Sequence, residues 1–262
     1  MITRITGKDN KTIKFIKSLK KKSNRTESNK FVAEGRRIVL EAFEYAKGSI
    51  YCVVATQDFV RSEPEIIEKA TSVCDKVFEV PSNVFEDISD TDTPQGILAV
   101  IEICAEDFSI DDSAKEIVVL DGVSEPGNMG TVIRTAEALG FGGIYFMKGC
   151  ADIYSQKTVR STMGSIFRMK FRSGCTVQDI RELKEQGFSV ISTTPGGDVC
   201  LETLKVPKRC AVVIGNEAHG VCDEILELSD MRVRISMGGL AESLNAAVAA
   251  GIAMHWIKNC RQ

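Results

Sequence analysis

Three short segments of the chain combine glycine with polar side chains, and each follows an apolar run. The first holds Asn128 and Arg134, the second holds Glu217, and the third holds Ser243 and Asn245. Asparagine is a strong helix N-cap, and the free backbone amides behind such a cap favour anions. One such segment is common in proteins of many kinds. Three of them predict a single site if the fold brings them together.

Each segment lies at the end of a predicted β-strand. The sequence IVVLDG at 117–122 opens with a continuous apolar run, which is typical of a strand buried on both faces of a parallel sheet. The sequences CAVVIGNE at 210–217 and RVRIS at 232–236 predict two more strands. Because ligand crevices lie beyond the carboxyl ends of parallel strands, we expect Glu217 to project into a shared crevice.

A helix is predicted to follow the first strand, over 128–139. Asn128 would be its N-cap, and Arg134 would lie about two turns further along. Residues six apart do not share a helix face well, so we expect Asn128 to act from the loop. The alternative is a plain capping asparagine and a surface arginine. A long amphipathic helix is predicted over 241–257, with Ser243 and Asn245 in its first turns.

The rest of the chain alternates strand and helix patterns, and its 262 residues suggest two domains. The polar stretch 106–116 has no apolar periodicity and predicts a linker. We therefore expect a small α/β domain at 1–105. We expect a second α/β domain, with a mostly parallel sheet, at 117–262.

Charge is unevenly distributed in a chain whose net charge is −3. Residues 1–37 contain 12 Lys and Arg against 3 Asp and Glu, whereas the remainder contains 21 against 33. A basic segment on an acidic body is typical of a nucleic-acid-binding protein. A solvated helix face would explain the run at 20–22 alone, but the whole segment favours contact with RNA.

Several classes of protein are excluded by the motifs that the sequence lacks. It contains no GxxxxGK[ST] phosphate loop, no GxSxG elbow and no HExxH helix. Nine scattered cysteines without a CxxC pair, and two distant histidines, argue against a metal site. No apolar stretch approaches the roughly 20 residues of a spanning helix, and the N-terminus is too polar for a secretion signal. We therefore expect a soluble, cytoplasmic protein.

In order and spacing, the three segments resemble the three motifs of the SpoU, or TrmH-like, branch of the SPOUT RNA methyltransferases. The resemblance covers about 117–258, and FVAEGRRIVLEA at 31–42 resembles the family's substrate-binding domain, which is similar to ribosomal protein L30e. Ser236 departs from the pattern, because the family often has proline there. The residues that match the motifs are Asn128, Gly130, Arg134 and Ala136; Gly215, Asn216, Glu217 and Gly220; and Ile235, Met237, Ser243, Leu244, Asn245 and Ala249.

This resemblance implies a catalytic domain whose C-terminal segment threads a loop to form a trefoil knot, which pattern alone could not suggest. The knot loops, at 192–197, 214–220 and 235–244, would bind S-adenosylmethionine. Gly215 would let backbone approach the adenosyl group. The implied cofactor-binding residues are Thr193, Thr194, Pro195, Ile214, Gly215, Asn216, Glu217, Gly220, Ile235, Met237 and Leu244.

The implied reaction methylates a ribose 2′-hydroxyl of RNA, and the implied catalytic residues are Asn128, Arg134, Glu217, Ser243 and Asn245. Because the pKa of arginine exceeds about 12, we expect Arg134 to stabilise the developing alkoxide or hold a phosphate rather than accept a proton. Asn128, Glu217, Ser243 and Asn245 would orient Arg134 and the ribose.

The resemblance also implies a homodimer formed through the C-terminal domain, and a small apolar face on the last helix fits this. That face comprises Leu244, Ala247, Val248, Gly251, Ile252 and His255. The L30e-like front domain favours ribosomal over transfer RNA as substrate, since transfer-RNA members typically flank the knot with short basic helices. A catalytically silent RNA-binding or ribosome-assembly protein remains an alternative, but the complete set of polar motif residues favours an enzyme. A base-methylating enzyme is a remoter alternative, because the Ser-Leu-Asn motif indicates the ribose-modifying branch.

Overall fold

The structure, a computed structural model, describes residues 2–103 and 114–260. It divides into two compact units. The first unit comprises Met1–Ala105 with Asp152–Arg168, and the second comprises Glu106–Ala151 with Met169–Gln262. Residues 152–168, which lie inside the predicted second domain, thus group with the first unit. Most of the predicted linker, 106–113, falls outside the described residues, and the proposed domain limits stay a prediction.

Strands and helices in the described ranges are numbered here in chain order. The strands are β1 (Ile2–Arg4), β2 (Lys30–Glu34), β3 (Ile50–Thr56), β4 (Val77–Val80), β5 (Ile97–Glu102), β6 (Glu116–Leu120), β7 (Ile144–Met147), β8 (Phe171–Cys175), β9 (Ser189–Thr193), β10 (Val199–Cys200), β11 (Cys210–Ile214) and β12 (Met231–Arg234). The helices are α1 (Lys11–Ser18), α2 (Lys22–Ser28), α3 (Arg36–Tyr45), α4 (Gln57–Ser62), α5 (Pro64–Val73), α6 (Ser82–Ile88), α7 (Pro126–Ala138), α8 (Gln156–Ser161), α9 (Val177–Glu185), α10 (Asp223–Leu228) and α11 (Ala246–Asn259).

The first unit is built on a five-stranded mixed sheet in the order β1-β4-β3-β5-β2. The pairs β1–β4 and β3–β4 are parallel, whereas β5 runs antiparallel to both β2 and β3. Apolar residues of α1 and α6 cover one face, where Ile13, Ile16 and Phe85 are fully buried. Between β1 and β2 the chain forms two helices, α1 and then α2, and α2 ends at Asn29 in the left-handed conformation.

Two buried charged side chains, those of Arg25 and Glu34, link separate segments of the first unit. The Arg25 guanidinium donates to the Asp152 carboxylate and to the Leu19 carbonyl, so residues 152–168 are tied to α2. The Glu34 carboxylate accepts hydrogen bonds from the loop after α6, including the backbone N–H of Asp90 at 3.0 Å. Buried charges are tolerated where they are paired and hydrogen-bonded in this way.

The second unit contains a seven-stranded sheet in the order β10-β12-β9-β11-β6-β7-β8. Every neighbouring pair in this sheet is parallel, which confirms the predicted parallel α/β domain. All five residues of β6 and of β11 are buried, as expected for strands covered by helices on both faces. This order places the carboxyl ends of β12, β9, β11 and β6 side by side at one edge of the sheet.

Three strands were not predicted, and each lacks the usual sequence signal. The central residues of β8, Arg172, Ser173 and Gly174, are exposed at the sheet edge, so no apolar alternation marks the strand. β1 is exposed throughout, and β10 has only two residues. The trefoil knot stays a prediction. No helix in the described ranges has the length and hydropathy needed to cross a bilayer.

The turn after β11 permits no side chain at Gly215. A Cβ atom there would lie 2.1 Å from the Gly220 carbonyl carbon and 2.3 Å from the Val221 nitrogen, and both contacts are with backbone. The turn is closed by paired hydrogen bonds between Asn216 and Gly220, at 2.8 and 2.9 Å. A substitution at Gly215 must therefore open the turn.

We expect Gly215→Ala to destabilise the second unit by about 1–3 kcal/mol, the usual cost of overpacking. The matched control is Gly196→Ala, because nothing lies within 4 Å of a Cβ at that position. Urea unfolding followed by the fluorescence of the single tryptophan, Trp256, measures both variants. Equal midpoints for the two variants would contradict the packing argument.

Candidate active site

The three motif segments and the predicted cofactor segment after β9 lie at one edge of the parallel sheet in the second unit. Residues 121–125 follow β6, 215–222 follow β11, 194–197 follow β9, and 235–245 follow β12. These four strands are neighbours in the sheet and run in the same direction. The edge beyond the carboxyl ends of parallel strands is where open α/β sheets hold ligands.

The Glu217 carboxylate is the centre of this edge. Its Oε2 accepts hydrogen bonds from the backbone N–H and the Oγ of Ser124, both at 3.1 Å. Its Oε1 accepts from the backbone N–H of Glu125 at 3.2 Å and from Nδ2 of Asn128 at 2.9 Å. Four donors from the segment after β6 therefore converge on one side chain from the turn after β11.

A second link joins the third segment. Asn128 uses its Oδ1 to accept a hydrogen bond from Nδ2 of Asn245 at 2.9 Å. The Oδ1 of Asn245 accepts from the backbone N–H groups of Ala247 and Val248, so Asn245 is the N-cap of α11. One chain of hydrogen bonds, Glu217–Asn128–Asn245, thus connects all three segments.

The starts of both helices differ from the prediction. α7 begins at Pro126, and its N-cap is Glu125, whose Oε2 accepts from the Asn128 backbone N–H at 2.6 Å. Proline is favoured at the first helical position, so the helix begins two residues before the predicted start. Asn128 therefore lies in the first turn, and it is neither the cap nor part of the loop. α11 begins at Ala246 rather than at residue 241, because Asn245 caps it, so Ser243 precedes the helix.

Hydrogen bonding keeps Glu217 ionised. Burial raises the pKa of its carboxyl, but the hydrogen bonds from Asn128, Ser124 and Glu125 lower it more, and the pKa is held at about 2. With both oxygens occupied and a pKa this low, Glu217 is a poor proton acceptor at neutral pH. The geometry gives it the role of a positioning residue.

The turn after β11 is also fixed by Asn216. Its Nδ2 donates to the Gly122 carbonyl at 2.7 Å, and its Oδ1 accepts from the backbone N–H groups of Ala218 and His219. The sequence had placed Asn216 among the cofactor-binding residues. In the structure, its side chain binds the protein's own backbone and holds the ends of β6 and β11 together.

The predicted cofactor segment at the end of β9 lies against β11 and β12. Thr193 donates through Oγ1 to the Val213 carbonyl at 3.0 Å, and the Thr194 N–H donates to the Val233 carbonyl at 2.9 Å. A Cβ at Gly197 would meet the Arg234 backbone nitrogen at 2.6 Å, so only glycine allows this approach. Among the other predicted cofactor residues, Pro195 is exposed, Ile214 is buried, and Gly220 and Ile235 are half-buried.

The segment between β12 and α11 presents apolar side chains to the surface. Met237 is 38% exposed, Leu244 is 37% exposed, and Leu240 is fully exposed. The same exposure continues along one face of α11, where Val248 is 51% and Ile252 is 39% exposed. Large apolar side chains grouped on a surface in this way mark a binding surface.

Two of the predicted catalytic residues stand outside the hydrogen-bonded chain. Arg134 lies on the exposed face of α7, and Ser243 is exposed before α11. Within residues 2–103 and 114–260, neither side chain has a hydrogen-bond or ion-pair partner. In the same ranges, no three side chains of His, Cys, Asp or Glu form a cluster suited to a metal ion.

Sequence reasoning missed Ser124 and Glu125, which supply three of the donors and the helix cap of this site. The proline after Glu125 was the available signal, because proline at the first helical position marks the preceding residue as the cap. Nothing in the sequence indicated Ser124, since its partner Glu217 lies 93 residues further along the chain.

We expect Glu217→Gln to lower the free energy of unfolding at pH 7 by about 1 kcal/mol, because an amide cannot accept from all four donors and the site is partly solvent-screened. The depressed pKa gives stability that is present above the ordinary glutamate pKa of 4.5 and lost as the pH falls towards about 2. The difference between wild type and variant should therefore shrink on acidification from pH 5 to pH 2.5. Urea unfolding at each pH measures it, and a constant difference would contradict the assignment.

Comparison of the chain with known proteins shows the family to which it belongs. A family model of the SpoU rRNA methylases matches residues 115–255, and a model of the MRM3-like substrate binding domain matches residues 10–99. The 23S rRNA (guanosine(2553)-2′-O)-methyltransferase RlmP of Bacillus subtilis (strain 168) is 31% identical, and the match covers 97% of this chain and 98% of the relative.

Two further proteins match over most of their length. A 23S rRNA (uridine(2479)-2′-O)-methyltransferase of Streptomyces viridochromogenes is 27% identical over 94% of this chain and 88% of the relative. A crystal structure of an AdoMet-bound rRNA methyltransferase from Sinorhizobium meliloti has a TM-score of 0.87 and 31% identity, covering 99% of this chain and 98% of that chain. The chain therefore belongs to the SpoU rRNA methylase family, and it carries an N-terminal substrate-binding domain.

Proposed function

We propose that the chain transfers a methyl group from S-adenosylmethionine to a ribose 2′-hydroxyl of RNA, and that ribosomal RNA is the substrate. The observation that carries this is the Glu217–Asn128–Asn245 hydrogen-bond chain at the carboxyl edge of the sheet, in a member of the SpoU family. Relatives named for 2′-O-methylation of 23S rRNA match both the substrate-binding and the methylase parts of the chain.

The segments after β9, β11 and β12 fit S-adenosylmethionine. Gly197 and Gly215 let neighbouring backbone segments approach more closely than any side chain would allow, and Met237 and Leu244 offer exposed apolar surface in the segment after β12. When bound, the cofactor supplies a methyl group on a sulfonium, an electrophile that a ribose oxygen can attack in line. The residues proposed to bind it are Thr193, Thr194, Pro195, Ile214, Gly215, Asn216, Glu217, Gly220, Ile235, Met237 and Leu244. Of these, Asn216 and Glu217 would contribute backbone atoms only, because their side chains are held within the protein.

Arg134 is the proposed catalytic residue. Its guanidinium is exposed on α7, and no group in the described ranges occupies it. A group that stays protonated cannot accept the hydroxyl proton, so Arg134 stabilises the developing alkoxide or holds the adjoining phosphate. The proton then leaves to phosphate or to water.

The other predicted catalytic residues position the reactants. Asn128 sits in the first turn of α7, so its bonds to Glu217 and Asn245 fix the helix that carries Arg134. Ser243 has an exposed hydroxyl, which can donate to the ribose or to the cofactor. Positioning of this kind supplies much of the rate of a displacement reaction.

We also propose a homodimer formed through α11, in which each site draws on both chains. Val248 and Ile252 lie four residues apart on one exposed face of α11, and Leu244, just before the helix, extends this apolar stripe. Gly251 and His255 continue this face, whereas Ala247 is buried inside the subunit, where α11 packs against α7. A second copy of the same stripe is a self-complementary partner.

Ribosomal RNA is favoured over transfer RNA because the MRM3-like substrate-binding domain accompanies the methylase domain. The basic segment at residues 1–37 supplies charge for phosphate contacts, and a cytoplasmic location follows from such a substrate. Transfer RNA as substrate and a silent RNA-binding role remain as alternatives. The second is opposed by the intact hydrogen-bond chain and by the unpaired Arg134.

We expect Arg134→Ala to lower kcat by at least a hundredfold, the usual cost of removing one group that stabilises a developing oxyanion. Its affinity for S-adenosylhomocysteine, measured by calorimetry, should stay within twofold of wild type, because Arg134 lies on α7 and not on the cofactor segments. Arg181→Ala is the matched control, since Arg181 is equally exposed on α9. Near-normal turnover of Arg134→Ala would refute the assigned role.

We expect the purified chain to methylate ribosomal RNA, taken from a strain that lacks the gene, at a single ribose. Transfer RNA from the same strain should accept no methyl group. The measurement is incorporation of labelled methyl groups, followed by mapping of the 2′-O-methyl position. Transfer to transfer RNA alone would reverse the preference, and transfer only to partly assembled ribosomal particles would redefine the substrate.

A further inference from the structure

A short turn follows β7 beside the candidate active site. The Ala151 N–H donates to the Val123 carbonyl at 2.9 Å, and the Cys150 thiol donates to the Leu120 carbonyl at 3.1 Å. A Cβ at Gly149 would lie 3.9 Å from the Gly122 α-carbon. These contacts hold residues 148–151 against the segment that leads into α7.

The turn lies close enough to the candidate active site for the carboxylates there to act on the Cys150 thiol. Burial raises the pKa of the Cys150 thiol to about 11, and the carboxylates of Asp121 and Glu217 raise it as well. Asp121, Glu125 and Glu217 together make this edge of the sheet acidic. An RNA phosphate that approaches it needs a neighbouring cation to offset the repulsion.

Lys148 is that cation. It follows β7 directly, its backbone N–H donates to the Cys175 carbonyl at 3.2 Å, and its side chain is exposed. Over the ranges that the structure describes, its ammonium group has neither an ion-pair nor a hydrogen-bond partner. A lysine left unpaired beside an acidic site is free to bind an anion.

The position of β7 in the sheet indicates that this anion belongs to the RNA rather than to the cofactor. The proposed cofactor segments follow β9, β11 and β12, whereas β7 lies beyond β6, on the other side of the Glu217 network. Strands are about 4.8 Å apart, so β7 is roughly 10 Å from β11 and roughly 14 Å from β9. We propose that Lys148 binds a phosphate of the substrate RNA next to the ribose that is methylated. This inference rests on the proposed function.

The test compares Lys148→Ala and Lys148→Arg with Lys208→Ala. Lys208 is equally exposed and equally without a described partner, but it precedes β11 and therefore lies at the amino edge of the sheet. Log affinity falls linearly with the logarithm of the salt concentration, and removing one phosphate contact makes this slope shallower by roughly 0.7 to 0.9. If variant and wild type bind equally at 1 M salt, where such contacts contribute little, a slope difference of about 0.8 makes the variant bind roughly sixfold more weakly than wild type at 0.1 M salt.

Binding of a ribosomal RNA fragment is measured by fluorescence anisotropy between 0.1 and 0.5 M KCl, and methyl transfer is measured under the same conditions. We expect only Lys148→Ala to show the reduced slope and an increased KM, with S-adenosylhomocysteine affinity unchanged. An unchanged slope, an equal loss in Lys208→Ala, or a loss of S-adenosylhomocysteine affinity would overturn the inference. If the wild-type chain binds the RNA but transfers no methyl group, the proposed function fails, and the binding slope still decides the role of Lys148.

Discussion

The arrangement of this site depends on one carboxylate. Glu217 lies in a turn that requires glycine at position 215. Its two carboxylate oxygens accept four hydrogen bonds from Ser124, Glu125 and Asn128, between the end of β6 and the first turn of α7. Those bonds hold the start of α7 in place, and the bond from Asn245 to Asn128 links it to the start of α11. The packing of α11 on α7 carries the same constraint into the core of the second unit.

This arrangement separates two tasks that side chains could otherwise share. The residues that make the most hydrogen bonds, Glu217 and Asn128, hold backbone and neighbouring side chains, and they have little capacity left for a substrate. Arg134, Ser243 and Lys148 are exposed and have no side-chain partner among the residues that the structure describes, so they are available to a substrate. A preorganised site is expected to combine rigidly held positioning residues with exposed residues that contact the substrate.

The sequence predicted the strands of the site well, because β6 and β11 are buried on both faces and therefore read as unbroken apolar runs. It could not reveal the edge strand β8, whose three central residues are exposed to solvent. Helix starts were misplaced by two to five residues, since Glu125 and Asn245 act as caps through side-chain geometry. The bond between Asn128 and Glu217 joins residues 89 apart, and no local pattern encodes such a distance.

The central claim is that Glu217 acts through Asn128 rather than directly on the reactants. A double-mutant cycle of Glu217→Gln and Asn128→Ala, read out as kcat/KM for methyl transfer, tests it most directly. If the two residues form one positioning unit, the double variant will be about as slow as the slower single variant. If the losses multiply, the two side chains act independently, and the account of a single carboxylate that organises the site is wrong.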